Sequence, residues 1–235
     1  MKILNTPGDI QVAETANGFD VSRRRFFQLA GGITGAGLVL SACRRTPPST
    51  TYVGTGDAGL LNMMYIVEQV QAGFYTQAVA TPYYGLTTSE SLCFVDLRDQ
   101  AIAHREYLLA LLGTNAAKPI VLNLSLSIFA DRTSTLANAY GLADLAVGGY
   151  NGAARLLSDT DFIHAFSKIV TVQARRSAYM RDTLNFYAHG NYDTFADSSA
   201  VYSNGLDLAT EPASVMAGIE QYIQTKFDIS KLPSF

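Results

Sequence analysis

The chain has no tryptophan, three histidines and only two cysteines, Cys43 and Cys93, in 235 residues. Far apart in the sequence, the two cysteines lack the paired-cysteine spacing of a structural zinc site. A glycine-rich phosphate loop, a nucleophile elbow and a His-Glu-x-x-His run are also missing, which removes the usual marks of nucleotide binding, serine hydrolysis and zinc proteolysis. Charge is sparse: after residue 42 there are 13 basic and 17 acidic residues, scattered along the chain. That pattern leaves no electrostatic footprint for nucleic acid. No stretch alternates apolar and polar residues long enough to predict a sheet. Hydrophobic residues, by contrast, make up 48% of the chain, a globular composition. The 13 tyrosines read as core rings with a polar tip.

Residues 22–28 run Ser22-Arg23-Arg24-Arg25-Phe26-Phe27-Gln28 and resemble the twin-arginine (Tat) export consensus, with Arg23 and Arg24 as its pair. A weakly apolar segment follows, Leu29 to Ala42, interrupted by Gly31, Gly32, Gly35 and Gly37. It is too short to persist as a bilayer span and fits a signal h-region. It ends Leu40-Ser41-Ala42-Cys43, similar to a lipobox, whose cysteine thiol takes a diacylglycerol. The expectation is a Tat lipoprotein signal peptide over 1–42, then a lipid-anchored flexible tether over 43–57 containing Pro47-Pro48. The chain is then expected in the cell envelope, facing the periplasm and held to a membrane through lipid on Cys43. Arg44 stands where an aspartate would favour inner-membrane retention, which points to the outer membrane. Cys93 lies alone in an apolar helical stretch, the setting of a buried, inert thiol.

Beyond the tether the spacing turns helical. Asp57 is a candidate N-cap for a first helix over about 58–80, with Leu60, Leu61, Met64, Val67, Val70, Gln71, Phe74 and Tyr75 on helical spacing and a stop at Thr81-Pro82. A second helix is predicted from near Thr88-Ser89-Glu90 to Leu112, closed by Gly113. Residues 114–130, with Pro119, read as a long crossing connection. A third helix is expected over about 133–157 and a fourth over about 161–188, with Ser158-Asp159-Thr160-Asp161 as turn and cap. After a polar stretch, a short helix is expected from Glu211-Pro212 to Lys226, Pro212 suiting its first turn. The fold class is therefore all-α: a four-helix bundle over 58–190 with a long crossover between helix pairs, and a C-terminal extension over 191–235.

The two halves echo one another. Val67-Glu68…Phe74-Tyr75 in the first helix matches Leu142-Ala143…Gly149-Tyr150 in the third, 75 positions on. Ala101…His104…Tyr107 in the second matches Gln173…Arg176…Tyr179 in the fourth, 72 positions on. Similar offsets in the same order point to a duplicated helical hairpin.

At these residues the chain resembles the bacterial ferritin-like family that includes desiccation-related proteins. The stretches carrying the likeness are Leu61-Asn62…Glu68…Phe74-Tyr75, His104-Arg105-Glu106-Tyr107-Leu108 and Tyr150-Asn151-Gly152-Ala153-Ala154. The resemblance implies a ferritin-like bundle and, in metal-bearing members, a centre of two iron or manganese ions. Such members carry one Glu on helices one and three and a Glu-x-x-His on helices two and four. Transferred onto this chain, Glu68 and His104 keep a ligand, whereas Ala101, Ala143, Gln173 and Arg176 do not. Asp144, next to Ala143, points about 100° away on the helix. A guanidinium has no lone pair for a metal and repels one.

Arg176 is therefore expected inside the former metal volume, paired with Glu68 and assisted by Gln71 and Gln173. The alternative sends Arg176 outward and leaves Glu68 bonded to a tyrosine such as Tyr65 or Tyr179. On the first reading the protein has no cofactor and is not an enzyme. It would be a structural or partner-binding component, self-associating or pairing with a ferritin-like relative. The rival reading is a metal-binding oxidoreductase or storage protein for envelope stress or desiccation. It would draw iron or manganese ligands from Asp96, Asp99, Glu106 or Asp144, or keep one weak ion on Glu68 and His104. A third reading is a module holding an apolar ligand against Met63, Met64, Phe74 and Leu108. His164 and His189 sit near helix ends and read as solvated or capping groups.

Overall fold

The computed structural model describes residues 50–186 and 200–235. Among these residues five α-helices dominate: α1 Gly56–Ala80, α2 Thr88–Leu112, α3 Arg132–Ala154, α4 Thr160–Phe186 and α5 Pro212–Ile219. Two residues at each end of the domain pair as parallel strands, β1 Thr51–Tyr52 with β2 Phe227–Asp228. Helices α1 and α2 form one antiparallel hairpin, α3 and α4 the other, and α1 also packs on α3 and α5. The bundle is all-α with a crossover between its pairs, as the sequence pattern implies.

Local chemistry sets the helix ends. Thr87 and Glu90 form a reciprocal capping box at the start of α2, satisfying two otherwise orphaned N–H groups. Glu90 also pairs with Arg132 at 2.7 Å, which joins the start of α2 to the start of α3. The N-cap of α1 is Thr55 rather than Asp57. Asp57 lies in the first turn, and its carboxylate accepts the backbone N–H groups of Ser158 and Asp159 at 2.9 and 2.8 Å. It therefore serves the α3–α4 turn, an acceptor role the local sequence does not reveal.

Helix α1 is buried at every residue from Gly59 to Ala72, the mark of a helix enclosed by the others. Its polar residues have specific tasks. The Asn62 amide donates to Asn115 O at 2.9 Å and accepts Ala117 N–H at 2.7 Å. Gln69 Oε1 accepts Ile120 N–H at 3.1 Å. Both hold the crossover, whose backbone polar groups would otherwise be buried without partners.

Three further expectations are corrected. The segment read as tether joins the domain from Thr51 onward, because β1 bonds to β2 and Val53 is fully buried. The C-terminal helix stops at Ile219, not Lys226; a 3₁₀ turn over Glu220–Tyr222 follows, then β2. The absence of strand also fails, by this two-residue pair, which is too short to leave a period-two signature. Helix α3 ends at Ala154 and α4 begins at Thr160, capped where Asp159 Oδ1 accepts Asp161 N–H at 2.8 Å. Residues 1–49, including Arg23, Arg24 and Cys43, and residues 187–199, including His189 and the expected end of the fourth helix, lie outside the described residues.

The face of α3 that receives the C-terminal segment is built from glycine. A Cβ on Gly152 would lie 2.0 Å from Thr210 O, whereas one on Gly141 would meet nothing within 4 Å. Gly152→Ala is therefore expected to cost about 1–3 kcal/mol through forced backbone displacement. Gly141→Ala is expected to stabilise the exposed helix by about 0.5–1 kcal/mol. Denaturant midpoints of the two variants check both signs.

Candidate functional site

Between the two hairpins the apolar core gives way to a buried polar cluster. Glu68 is its hub, with no exposed surface. Its Oε1 accepts the Tyr150 hydroxyl at 2.8 Å and the Gln173 amide at 2.7 Å. His104 Nδ1 stands 3.4 Å away, within ion-pair reach but not aligned as a hydrogen bond. Arg176 is inside as well, 3% exposed. Its Nη1 donates to Gln71 Oε1, which also accepts the Gln173 amide at 3.1 Å. The Gln71 amide in turn donates to Leu142 O at 2.9 Å. The guanidinium lies 5.6 Å from the centre of the Tyr75 ring.

The expected internal Arg176 is found, but its expected ion pair with Glu68 is not. Glu68 and Arg176 communicate through the amides of Gln71 and Gln173, with no direct contact between the charges. Gln71 Oε1 accepts from both Arg176 and the Gln173 amide, and that same amide group donates to Glu68, so the arrangement is an amide relay. Nor does Glu68 bond Tyr65 or Tyr179. The tyrosine it uses is Tyr150, and the signal for that choice lay in the internal repeat.

The repeat has a direct structural consequence. Tyr150 corresponds to Tyr75, and Glu68 to Ala143, both at an offset of 75. The Tyr150–Glu68 hydrogen bond thus has its counterpart in Tyr75 and Ala143, where the methyl side chain offers no acceptor. The Tyr75 hydroxyl is buried without a hydrogen-bond partner. Desolvation, only partly offset by Arg176, pushes its pKa up to about 12. Ala101 and Ala143 are both fully buried.

The other expected residues lie apart. Asp144 faces α4, accepting from Ser177 and pairing with Arg181 at 2.9 Å. Asp99 pairs with Arg98 at 2.8 Å and Glu106 with Arg105 at 2.6 Å. Asp96 lines an outer groove between α2 and α4. Among the described residues no three His, Cys, Asp or Glu side chains converge. Met63, Met64, Phe74 and Leu108 are packed within the core, and His164 is exposed. Cys93 is half-buried, and desolvation, outweighing a hydrogen bond with Tyr179, pushes its thiol up to about 11. Little thiolate forms at neutral pH, so the side chain is unreactive.

Burial alone would raise the Glu68 pKa, but His104, Arg176 and the Tyr150 hydroxyl outweigh it and hold the carboxyl below its usual range. A depressed folded-state pKa means that the unfolded chain binds the proton more readily. The stability contributed by Glu68 is therefore complete above the ordinary carboxylate range and lost as pH falls through the lower folded value. Unfolding free energy measured from pH 6 to pH 2 is expected to fall in that window, with a shallower slope in Glu68→Gln.

A bundle of two like hairpins, joined by a crossover and enclosing a polar centre fed by all four long helices, defines a class of helical protein before any comparison is made. The model of the ferritin-like domain family matches residues 56–186. This is more than half of the chain, and the chain belongs to that family. No curated protein matches it.

Proposed function

We propose that the chain is an exported, lipid-anchored ferritin-like domain of the desiccation-related type that has given up its two-metal centre. It serves the cell envelope as a structural or partner-binding component. The observation that carries the reading is Arg176, a permanent cation buried among Gln71, Gln173 and Glu68. The donor set does not fit the metal pair that the family implies. Two divalent ions require several anionic oxygens and two imidazoles. Here one carboxylate and one imidazole remain beside two amides and a guanidinium. The unpartnered Tyr75 hydroxyl, whose repeat counterpart Tyr150 bonds Glu68, supports loss of a carboxylate from one half of a once symmetric site.

Export and anchoring rest on sequence: the arginine pair, the weak h-region and Cys43 occur in the order a Tat lipoprotein requires. Among the described residues no helix is long and apolar enough to cross a membrane, consistent with attachment by lipid. Association with a second copy or with a metal-bearing relative would use helix faces kept after the centre was lost.

Labelling cells with a radioactive fatty acid tests the anchor. Cys43→Ser is expected to abolish label, and Arg23→Lys with Arg24→Lys to leave unprocessed precursor in the cytoplasm. Label that survives Cys43→Ser would overturn the lipid anchor. Iron(II) oxidation by the purified protein no faster than buffer is the expected companion result.

A further inference from the structure

The Arg176 guanidinium belongs to two places at once. It closes one side of the buried cluster, and it also forms the inner wall of an open groove of about 400 Å³ between α2 and α4. Its hydrogen bonds are uneven. Nη1 is committed to Gln71. Nη2 has only a long 3.4 Å contact with Gln100 Oε1, and Nε is buried with no partner. Nε–H and the Nη2–H beside it form one edge of the guanidinium, the edge that grips a carboxylate side-on through two parallel hydrogen bonds. A buried cation that touches no carboxylate among the described residues has most to gain from such a ligand.

The groove suits a particular kind of anion. Leu92, Leu97 and Val172 give it apolar walls, and its size is at the small end of ligand pockets, roughly 300–1,000 Å³. Arg175 and Asp96 stand at the exposed rim with opposite charges, so neither sign dominates the entrance. Gln100 is exposed and neutral, and withdrawing its Oε1 frees Nη2.

We propose that this groove binds a small organic carboxylate with a short apolar body, the carboxylate held by Nε and Nη2 of Arg176 and the body lying along Leu92, Leu97 and Val172. Neither Glu68 nor His104 lines this groove.

Titration calorimetry of the full chain in detergent, with metal content measured beforehand, tests it with butyrate and hexanoate as probes. Saturable binding of one molecule per chain is expected, several-fold tighter for hexanoate and at least tenfold weaker for hexanamide. Gln100→Ala, which frees Nη2 of its one long contact, is expected to tighten binding two- to fivefold. Leu92→Glu at the 62% exposed groove wall leaves the fold intact and is expected to weaken it at least fivefold. Arg176→Met is expected to abolish it; should that variant not fold, the other two decide. The proposal is overturned by the absence of saturable binding, by equal binding of the amide, by indifference to both Gln100→Ala and Leu92→Glu, or by sulfate binding as tightly as hexanoate. Binding that disappears with EDTA would assign the anion to a metal and also overturn it. Metal found together with EDTA-resistant binding would leave this proposal standing and contradict only the metal-free reading.

Discussion

Arg176→Met is expected to lower the stability of the domain by about 1–3 kcal/mol, the usual cost of stripping a donor from a buried polar network. Methionine keeps most of the volume, so the loss is electrostatic rather than a cavity. Glu68 would keep its neutral donors, Tyr150 and Gln173, but lose the cation that favours its ionised form. Gln71 would lose a donor to its side-chain oxygen. Arg176→Lys should recover only part of the loss, because an ammonium lacks the planar fork that reaches Gln71 and Gln100 together. Glu68→Gln in the Arg176→Met background should cost less than the two single effects added, since it removes the charge left without compensation. Urea unfolding at neutral pH followed by circular dichroism measures these variants and the single Glu68→Gln. Independent, additive effects of the two substitutions would show that the amide relay does not couple these charges.

The second large effect is a gain. Substituting Ala101→Glu, Ala143→Glu, Gln173→Glu and Arg176→His together rebuilds the ligand pattern of the metal-bearing family on the existing helices. The spacing of 101 to 104 and of 173 to 176 puts each new pair on one helical face. The variant is expected to bind two iron or manganese ions per chain. Without metal it should be less stable than the wild type, because two fully buried alanines become carboxylates without partners. With metal it should regain stability, so its melting temperature rises with metal concentration. The triple variant that keeps Arg176 should bind far less, since the guanidinium still occupies the cavity and repels cations. Elemental analysis after desalting distinguishes the two variants.

Much of this architecture is legible from local chemistry. Thr87 with Glu90, Thr81 before Pro82 and Gly113 are punctuation that acts within a few residues, so the ends of α1 and α2 follow closely. That residue 176 shares a helical face with the buried Gln173 follows from their three-residue spacing. Its hydrogen-bond acceptor does not follow. Whether the guanidinium reaches Glu68 or stops at Gln71 depends on the distance between α1 and α4, a property of packing across the whole bundle. The same limit explains Asp57, which looks like a cap for its own helix but satisfies the turn beside it. Asn62 and Gln69 sit on an apolar pattern and reveal their purpose only when the crossover is laid against them. The β1–β2 pair, two residues per strand and far apart in sequence, leaves no periodic trace. The duplicated hairpin was legible, and it supplies the most specific structural statement available: the Tyr75 hydroxyl lacks the acceptor that Tyr150 has.

The most direct test is diffraction from crystals of the full chain grown with excess iron(II) or manganese(II), recorded at the metal absorption edge. The replacement of metal by a guanidinium predicts no anomalous peak among Glu68, His104 and Gln173, with Arg176 density reaching Gln71. Two peaks between Glu68 and His104, with Arg176 turned out into solvent, would contradict it.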